Sequence, residues 1–256
     1  MTIKAILFDL YGTLAHIETD EEQELIFSVI AQFLDYHRLR LSPDALRMLY
    51  KEKIQAQKSA SSEKYPEIRQ RQAWEELLMD GSRHFRPGHK DSADQAMHIA
   101  NRRRRLAKEL TRLFRALARK HLSRYPGAKT LLQELQGRYQ LGMVSDAQPE
   151  FAKPELRRTK LRKYFPAPII SAKYGYRKPD PRLFQQACHD LRVSPEECVF
   201  VGNDMYRDIY GAKRVGMKTI WVDSGQGRRS YQDVRAEYDV RDVRQVLDGI
   251  HFLENS

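Results

Sequence analysis

The chain has 256 residues, a net charge of +11, 41% hydrophobic residues and two cysteines. Its length suits one large domain or a domain carrying an insert. No apolar run approaches the roughly 20 residues that span a bilayer, and two cysteines exclude a disulfide framework. The strand pattern begins almost at the first residue, so no signal peptide is expected. Cys188 and Cys198, each in an apolar setting, are expected as buried thiols of a cytoplasmic protein. The eight histidines are scattered and share no metal spacing with cysteine. The positive charge suits anionic partners, and where it sits matters more than its sum.

Residues 3–8, apolar apart from Lys4, predict a buried strand that delivers Asp9 to its carboxyl end. Gly12 permits a tight turn and Thr13 supplies a hydroxyl. Open α/β sheets bind ligands at the carboxyl ends of their strands. Asp9 is therefore either a catalytic group or a carboxylate that ends a strand and caps a turn.

Residues 15–124 are rich in Arg, Lys, Glu and Gln, with helical periodicity and no strand signal. Thr19 and Glu22 predict a capping box before a helix with Leu25, Ile26, Val29, Ile30 and Phe33 on one face. Ser42 and Pro43 predict the N-cap and first turn of a helix to about residue 57. A polar loop over 59–64 precedes a helix over 66–79, anchored by Trp74, Leu77 and Leu78. A loop over 80–91 and a long helix over 93–121 complete the stretch. In that helix Leu106, Leu110, Leu113 and Leu117 form an apolar stripe. The run Arg102 to Arg105 and the basic residues that follow it to Lys120 cover the rest. A solvated face is favoured there over an anion-binding one. With Phe114 as the nearby aromatic, a nucleic-acid platform over 102–120 is not favoured.

From Tyr125 the pattern alternates. A helix over 128–135 leads to a strand over 139–144 that ends at Ser145 and Asp146. A helix to about residue 164 is kinked or broken at Pro154, and a short strand covers 168–171. Lys178-Pro179-Asp180-Pro181 then feeds a helix with Leu183, Phe184 and Ala187 inward. A strand over 198–201 ends in Gly202-Asn203-Asp204, with Asp208 four residues on. A helix with Ala212 and Val215 inward, strands over 218–222 and 238–240, and a helix over 241–253 close the chain. The alternation predicts an α/β fold, a Rossmann-like doubly wound parallel sheet. That core covers 1–14 and 125–256, with an all-helical cap inserted over 15–124 and hinges near 15–19 and 123–127.

Asp9, Ser145 and Asp204 fall at carboxyl ends of strands, where one sheet edge can gather them with Thr13, Lys178 and Asp208. Three carboxylates there repel one another unless positive charge sits among them. Lys178 supplies one charge. Mg²⁺, which takes a few carboxylates, waters and phosphate oxygens, supplies more. These parts assemble into a mechanism in which Asp9 attacks phosphorus to give an aspartyl-phosphate. Mg²⁺ and Lys178 neutralise the oxygens, and Thr13 and Ser145 hydrogen-bond the transferring group.

In order along the chain, Asp9-Leu10-Tyr11-Gly12-Thr13, Ser145, Lys178-Pro179-Asp180-Pro181 and Gly202-Asn203-Asp204-Met205-Tyr206-Arg207-Asp208 resemble the four motifs of the haloacid dehalogenase superfamily. The resemblance is to members with a helical cap inserted after the first motif. It implies Asp9 as nucleophile, Thr13 and Ser145 as phosphate-site hydroxyls, and Lys178 as the charge organiser. It also implies Mg²⁺ held by Asp9, the main-chain carbonyl of Tyr11, Asp204 and Asp208. Gly12 and Asp146 are placed beside the substrate, and the cap is expected to set specificity.

The chain departs from that family's phosphatases at Tyr11, where they carry a second Asp as general acid and base. A phenol with a pKa of about 10 is a poor substitute, so aryl phosphates are expected to outperform alkyl ones. The family's 2-haloacid dehalogenases resemble the chain at this position, and a departing halide needs no proton. They need no metal, however, and carry Asn where this chain has Asp146, whose carboxylate would repel halide. The expected activity is a Mg²⁺-dependent phosphatase acting on a small phosphorylated substrate. Metal-free dehalogenation is the alternative, and a non-catalytic phospholigand or nucleic-acid binder the third possibility. No membrane partner is expected.

Overall fold

The computed structural model describes residues 2–81, 85, 88 and 92–256. The loop expected over 80–91 falls mostly outside the described residues. By its contacts the chain divides into two units. One comprises Met1–Ile17, Glu63–Tyr65 and His121–Ser256, and the other Glu18–Ser62 and Pro66–Lys120.

Strand β1 (Ala5–Phe8) is buried throughout. Beyond Leu14 the chain forms β2 (Ala15–Thr19), which corrects the expectation of helix alone in this stretch. Thr19 ends that strand instead of opening a capping box. The first helix, α1 (Glu24–Asp35), starts after Gln23, whose side chain makes no cap bond. Its buried face is Ile26, Phe27, Ile30, Ala31 and Leu34, one step round from the expected stripe, so Leu25 is 62% exposed.

Helix α2 (Pro43–Ala60) is capped as its sequence predicts, with the Ser42 side chain accepting from Ala45 N. Helices α3 (Gln70–Gly81) and α4 (Ala93–Ala118) complete the helical unit. Its core is aromatic. Tyr50 stacks on Trp74 with centroids 4.4 Å apart, and Phe114 and Phe27 close around Tyr50. On α4 the buried stripe is Leu106, Leu110 and Phe114, with Ala107, Thr111 and Ala118 between them. Leu113 and Leu117 lie at its border, and Arg102, Arg104, Arg105, Lys108 and Arg112 are exposed.

The long helix stops at Ala118 because β3 (Arg119–Arg124) pairs with β2. Bonds from Asp20 N to Ala118 O (2.8 Å) and from Tyr125 N to Leu14 O (3.1 Å) bracket this ribbon. The remaining elements are α5 (Ala128–Leu135), β4 (Gln140–Ser145), α6 (Pro149–Arg158), β5 (Ile169–Ile170), α7 (Pro181–Leu191), β6 (Cys198–Gly202), α8 (Gly211–Lys213), β7 (Lys218–Val222), β8 (Tyr238–Val240) and α9 (Val246–Asn255). Helix α6 runs through Pro154 without a break. A π-helical turn, Met205–Tyr210, precedes α8.

Six strands form one sheet in the order β5-β4-β1-β6-β7-β8, and each neighbouring pair is parallel. Successive side chains on a strand point to opposite faces, and here both faces are covered. Ile6, Phe8, Val199 and Val201 pack with Leu131, Leu132 and Ile250 on one side. Ala5, Leu7 and Phe200 pack with Leu183, Phe184 and Cys188 on the other. This is why the strands read as continuous apolar runs. Cys188 and Cys198 are buried free thiols, with their sulfurs 3.6 Å apart. Among the described residues no helix is long and apolar enough to cross a membrane.

Candidate active site

The parallel register fixes where the first site residue falls. Phe8 lies level with Met143 on β4 and with Val201 on β6. Asp9 follows at the carboxyl edge of the central strand, its N–H donating to Val201 O at 2.9 Å. This is the position where open parallel sheets place ligands. The chain then turns within a few residues: Leu14 N and Ala15 N both donate to Leu10 O, and Gly12 N donates to Ala15 O. Gly12 is required on two grounds. Its φ is +89°, and a Cβ there would lie 2.3 Å from Asn203 Nδ2. Thr13, fully buried, donates from Oγ1 to Asn203 Oδ1 at 3.0 Å.

Lys178 reaches this edge from the loop before α7. Its Nζ lies 2.6 Å from Asp9 Oδ1 and 2.6 Å from Asp208 Oδ1, and its backbone N–H donates to Asp146 Oδ1 at 3.0 Å. Lys178 is 3% exposed and Asp208 1%. A buried charge is tolerable only when paired and hydrogen-bonded, and this triad meets that condition. Burial alone would favour the neutral amine of Lys178, but Asp208 and Asp9 outweigh it and hold the group above its ordinary range. The Asp9 carboxyl is pushed up to about 6, because burial, with Asp208 adding to the rise, outweighs the opposing pull of Lys178. Burial likewise raises Asp146, with Lys178 opposing.

The segment after β6 divides its two aspartates between different tasks. Asp208, on the π-helical turn, folds back so that Oδ2 accepts from Asn203 N and Asp204 N, each at 3.0 Å. Gly202 makes room for this, since a Cβ there would sit 2.4 Å from Asp208 Cβ. Asp204 caps the turn. Its Oδ1 accepts from Tyr206 N and Arg207 N, and its Oδ2 from Arg207 Nε and Arg228 N. Burial would raise its carboxyl, but the N–H groups and charge of Arg207 outweigh that and hold it low. A carboxylate offers about four acceptor sites, and those of Asp204 are filled. The structure therefore brings Asp9, Lys178 and Asp208 together and directs Asp204 elsewhere. The side chain from this segment that meets the first loop is Asn203.

Among the described residues no three His, Cys, Asp or Glu side chains converge to hold a metal. Mg²⁺ does not require that many, because it is commonly bound through one or two carboxylates together with substrate phosphate oxygens and water. Asp9 and Asp208 fit that donor set. Lys178 takes one oxygen of Asp9, and among the described residues nothing donates to the other. Ser145 ends β4, and among the described residues its Oγ is buried without a hydrogen-bond partner, as is Asp146 Oδ2. Leaving a buried polar atom unsatisfied is costly. A hydroxyl so placed beside Asp9 suits an oxyanion ligand.

Tyr11 follows two residues after Asp9. Its ring packs against Ala147, Phe151, Ala152 and Ile170, and its hydroxyl donates to Glu155 Oε2 on α6. Near the carboxylates stands Arg207, whose guanidinium is held in its charged form against burial by Asp208, Asp204, Asp9 and Asp146.

A family model for haloacid dehalogenase-like hydrolases matches residues 3–216. The chain belongs to the haloacid dehalogenase-like hydrolases. The matched span contains all four motif stretches. One hydrolase relative, the glyceraldehyde 3-phosphate phosphatase of Pyrococcus furiosus, is 36% identical over 132 residues, which is 50% of this chain and 55% of that protein. The phosphoserine phosphatase of Thermus thermophilus is 31% identical over 161 residues, 62% of this chain and 61% of that one. The chain thus spans little more than half the length of these curated relatives. A solved 2-haloacid dehalogenase from Pseudomonas syringae pv. Tomato aligns over 98% of this chain and 100% of its own, with a TM-score of 0.65 and 21% identity, and shows the shared fold.

Two residues near the first loop and the carboxylates escape sequence reasoning. Arg207 lies inside the fourth motif stretch, where the expected ligand spacing draws attention to the aspartates instead. Glu155, bonded to Tyr11, lies outside every motif and carries no signal beyond its place on a helix face with Phe151 and Ala152.

Proposed function

We propose that the protein is a Mg²⁺-dependent phosphatase that hydrolyses small phosphorylated substrates through an aspartyl-phosphate on Asp9. The observation that carries this is the Lys178 bridge between Asp9 and Asp208, with the unpartnered Ser145 Oγ beside it. Lys178 holds Asp9 by one oxygen and leaves the other to attack phosphorus. Ser145 donates to a phosphoryl oxygen. Thr13 keeps Asn203 against the first loop. Gly12 lets the backbone come close to the phosphoryl group. When bound at Asp9, Asp208 and the Tyr11 carbonyl, Mg²⁺ supplies the positive charge that stabilises the transferring group. The helical unit acts as the cap that sets specificity, and the enzyme works in the cytoplasm, where Cys188 and Cys198 stay reduced.

Tyr11 is the observation that favours the second activity, metal-free 2-haloacid dehalogenation by Asp9. Asp146 opposes it, because its free carboxylate oxygen lies next to Ser145 and would repel a departing halide.

The test is phosphate release from p-nitrophenyl phosphate, with Mg²⁺ and with EDTA, alongside Asp9→Asn. Metal-dependent release that Asp9→Asn abolishes is the expected result. Halide release from a 2-haloacid without metal, in a protein inert toward phosphate esters, would overturn it in favour of dehalogenation.

A further inference from the structure

The two cysteines of the chain lie on two packed elements of the sheet unit. Cys188 is near the end of α7, and Cys198 is the first residue of β6. Both backbones are fixed. Arg192 N and Val193 N close the end of α7 by donating to Cys188 O, and Cys198 is level with Ala5 on β1. The free, buried sulfurs face each other at 3.6 Å, which is van der Waals contact, among Leu183, Phe184, Phe200 and Met217. As packing, either position could be filled by another small apolar side chain. Two thiols in contact add a chemistry that no such pair has. The hydrogen bond between them also divides their acidity. It pulls the Cys188 thiol below its ordinary range against the effect of burial, and together with burial it pushes the Cys198 thiol up. Cys188 is therefore the sulfur that ionises first, and the thiolate is the nucleophile.

We propose that Cys188 and Cys198 form a reversible oxidation site, which hydroperoxides convert into a disulfide between α7 and β6. In the first step the Cys188 thiolate attacks an oxygen of the hydroperoxide. An S–O bond forms and the O–O bond breaks. The departing oxygen keeps the electron pair, takes up the proton that Cys188 gave and leaves as alcohol or water. Cys188 is then a sulfenic acid. In the second step the Cys198 sulfur attacks the Cys188 sulfur. An S–S bond forms, the S–O bond breaks, and hydroxide leaves with the Cys198 proton as water. The two thiols have lost two electrons and the peroxide has gained them. A small thiol such as glutathione reverses the bond by thiol–disulfide exchange, so the pair rests as thiols in a reducing compartment. The site is independent of the phosphatase function proposed above. Cys198 begins the strand whose far end leads to Asp204 and Asp208, and neither cysteine belongs to the active site.

The experiment takes the intact, reduced protein, removes the reductant and adds a small excess of hydrogen peroxide in native buffer. The protein is then unfolded in N-ethylmaleimide and mapped by peptide mass. The expected product is a single chain that has lost two hydrogens, takes up no maleimide and carries a Cys188–Cys198 cross-link, with both thiols restored by dithiothreitol. Its thermal midpoint is expected to rise by about 5 °C, because a cross-link removes freedom from the unfolded chain. Serine variants keep the size of each side chain and separate the steps. Cys198→Ser should stop at a sulfenic acid on Cys188, which dimedone labels, and Cys188→Ser should give no cross-link within the chain. Both thiols of the native protein still taking up maleimide after peroxide would overturn the site. So would cross-links that join two chains, or a sulfinic acid on one cysteine beside a free thiol on the other. An oxidised protein whose midpoint does not rise would show a bond made at the expense of α7 or β6, and would overturn the pair as a built site.

Discussion

The loop after β1 is held from two sides by different physics. On one side Lys178 sits between Asp9 and Asp208, three charged groups almost wholly removed from water. On the other, the Tyr11 hydroxyl donates to Glu155 on α6 and its ring packs on Phe151, Ala152 and Ile170. The charged side is stable only as a set, because removing the cation leaves two buried carboxylates facing each other. The side around Tyr11 is held by ring packing and by a hydrogen bond to a buried carboxylate, which would be left unsatisfied without the phenol. Damage on the charged side should therefore reach stability and turnover together, and damage on the other side chiefly stability.

The largest effect should come from Lys178→Met. Breaking a buried ion set typically costs about 3–5 kcal/mol, and urea unfolding should show a loss of that order with no measurable turnover. A loss below about 1 kcal/mol, the level of an exposed pair, would mean that the cluster is not ionised. The two aspartates after β6 offer a sharper contrast. Asp208→Asn should lower turnover by at least about 10²-fold, as loss of a charge-organising group does. Asp204→Asn should remove about 1–2 kcal/mol of cap stability and cost less than about tenfold in turnover. Equal losses of turnover would place Asp204 in the site after all.

Gly202→Ala forces a carbon against Asp208. Such overpacking costs about 1–3 kcal/mol, visible in thermal unfolding together with reduced turnover. The smallest effect on turnover is expected for Asn203→Ala, which strips Thr13 of its acceptor and Gln226 O of a donor. At about 0.5–1.5 kcal/mol for each bond, the loss in thermal unfolding should stay below about 3 kcal/mol. A larger one would show that Asn203 does more than fasten these two segments.

The two sides also differ in how far the sequence announces them. Asp9 and Ser145 could be placed from strand ends alone, because a parallel sheet brings those ends to one edge whatever the loops do, whereas Lys178 lies on the loop before α7 and is marked by its motif. Even there, spacing could not say which carboxylate of the fourth motif faces inward. A π-helical turn swings Asp208 back toward Gly202 and leaves Asp204 as a cap, which is a matter of backbone winding. Glu155 was invisible for a different reason. A glutamate in a charged helix reads as surface, and only the docking of α6 under Tyr11 buries it. The ribbon of β2 and β3 was missed because its residues are short on apolar alternation and pair with each other across the whole insert. Glu63–Tyr65, which the sequence assigns to the helical insert, groups with the sheet unit. Glu63 pairs there with Arg182, and Tyr65 O accepts from Arg177 N at 2.9 Å. No local pattern in a polar loop forecasts such a partner.

The most direct test of Asp9 as the nucleophile is to quench the enzyme in acid during turnover of an aryl phosphate and map the phosphoryl group by peptide analysis. The account predicts a phosphoryl group on Asp9 that survives acid and is released by hydroxylamine, as an acyl phosphate is. Turnover with the group on another residue, or with no phosphoenzyme under single-turnover conditions, would contradict it.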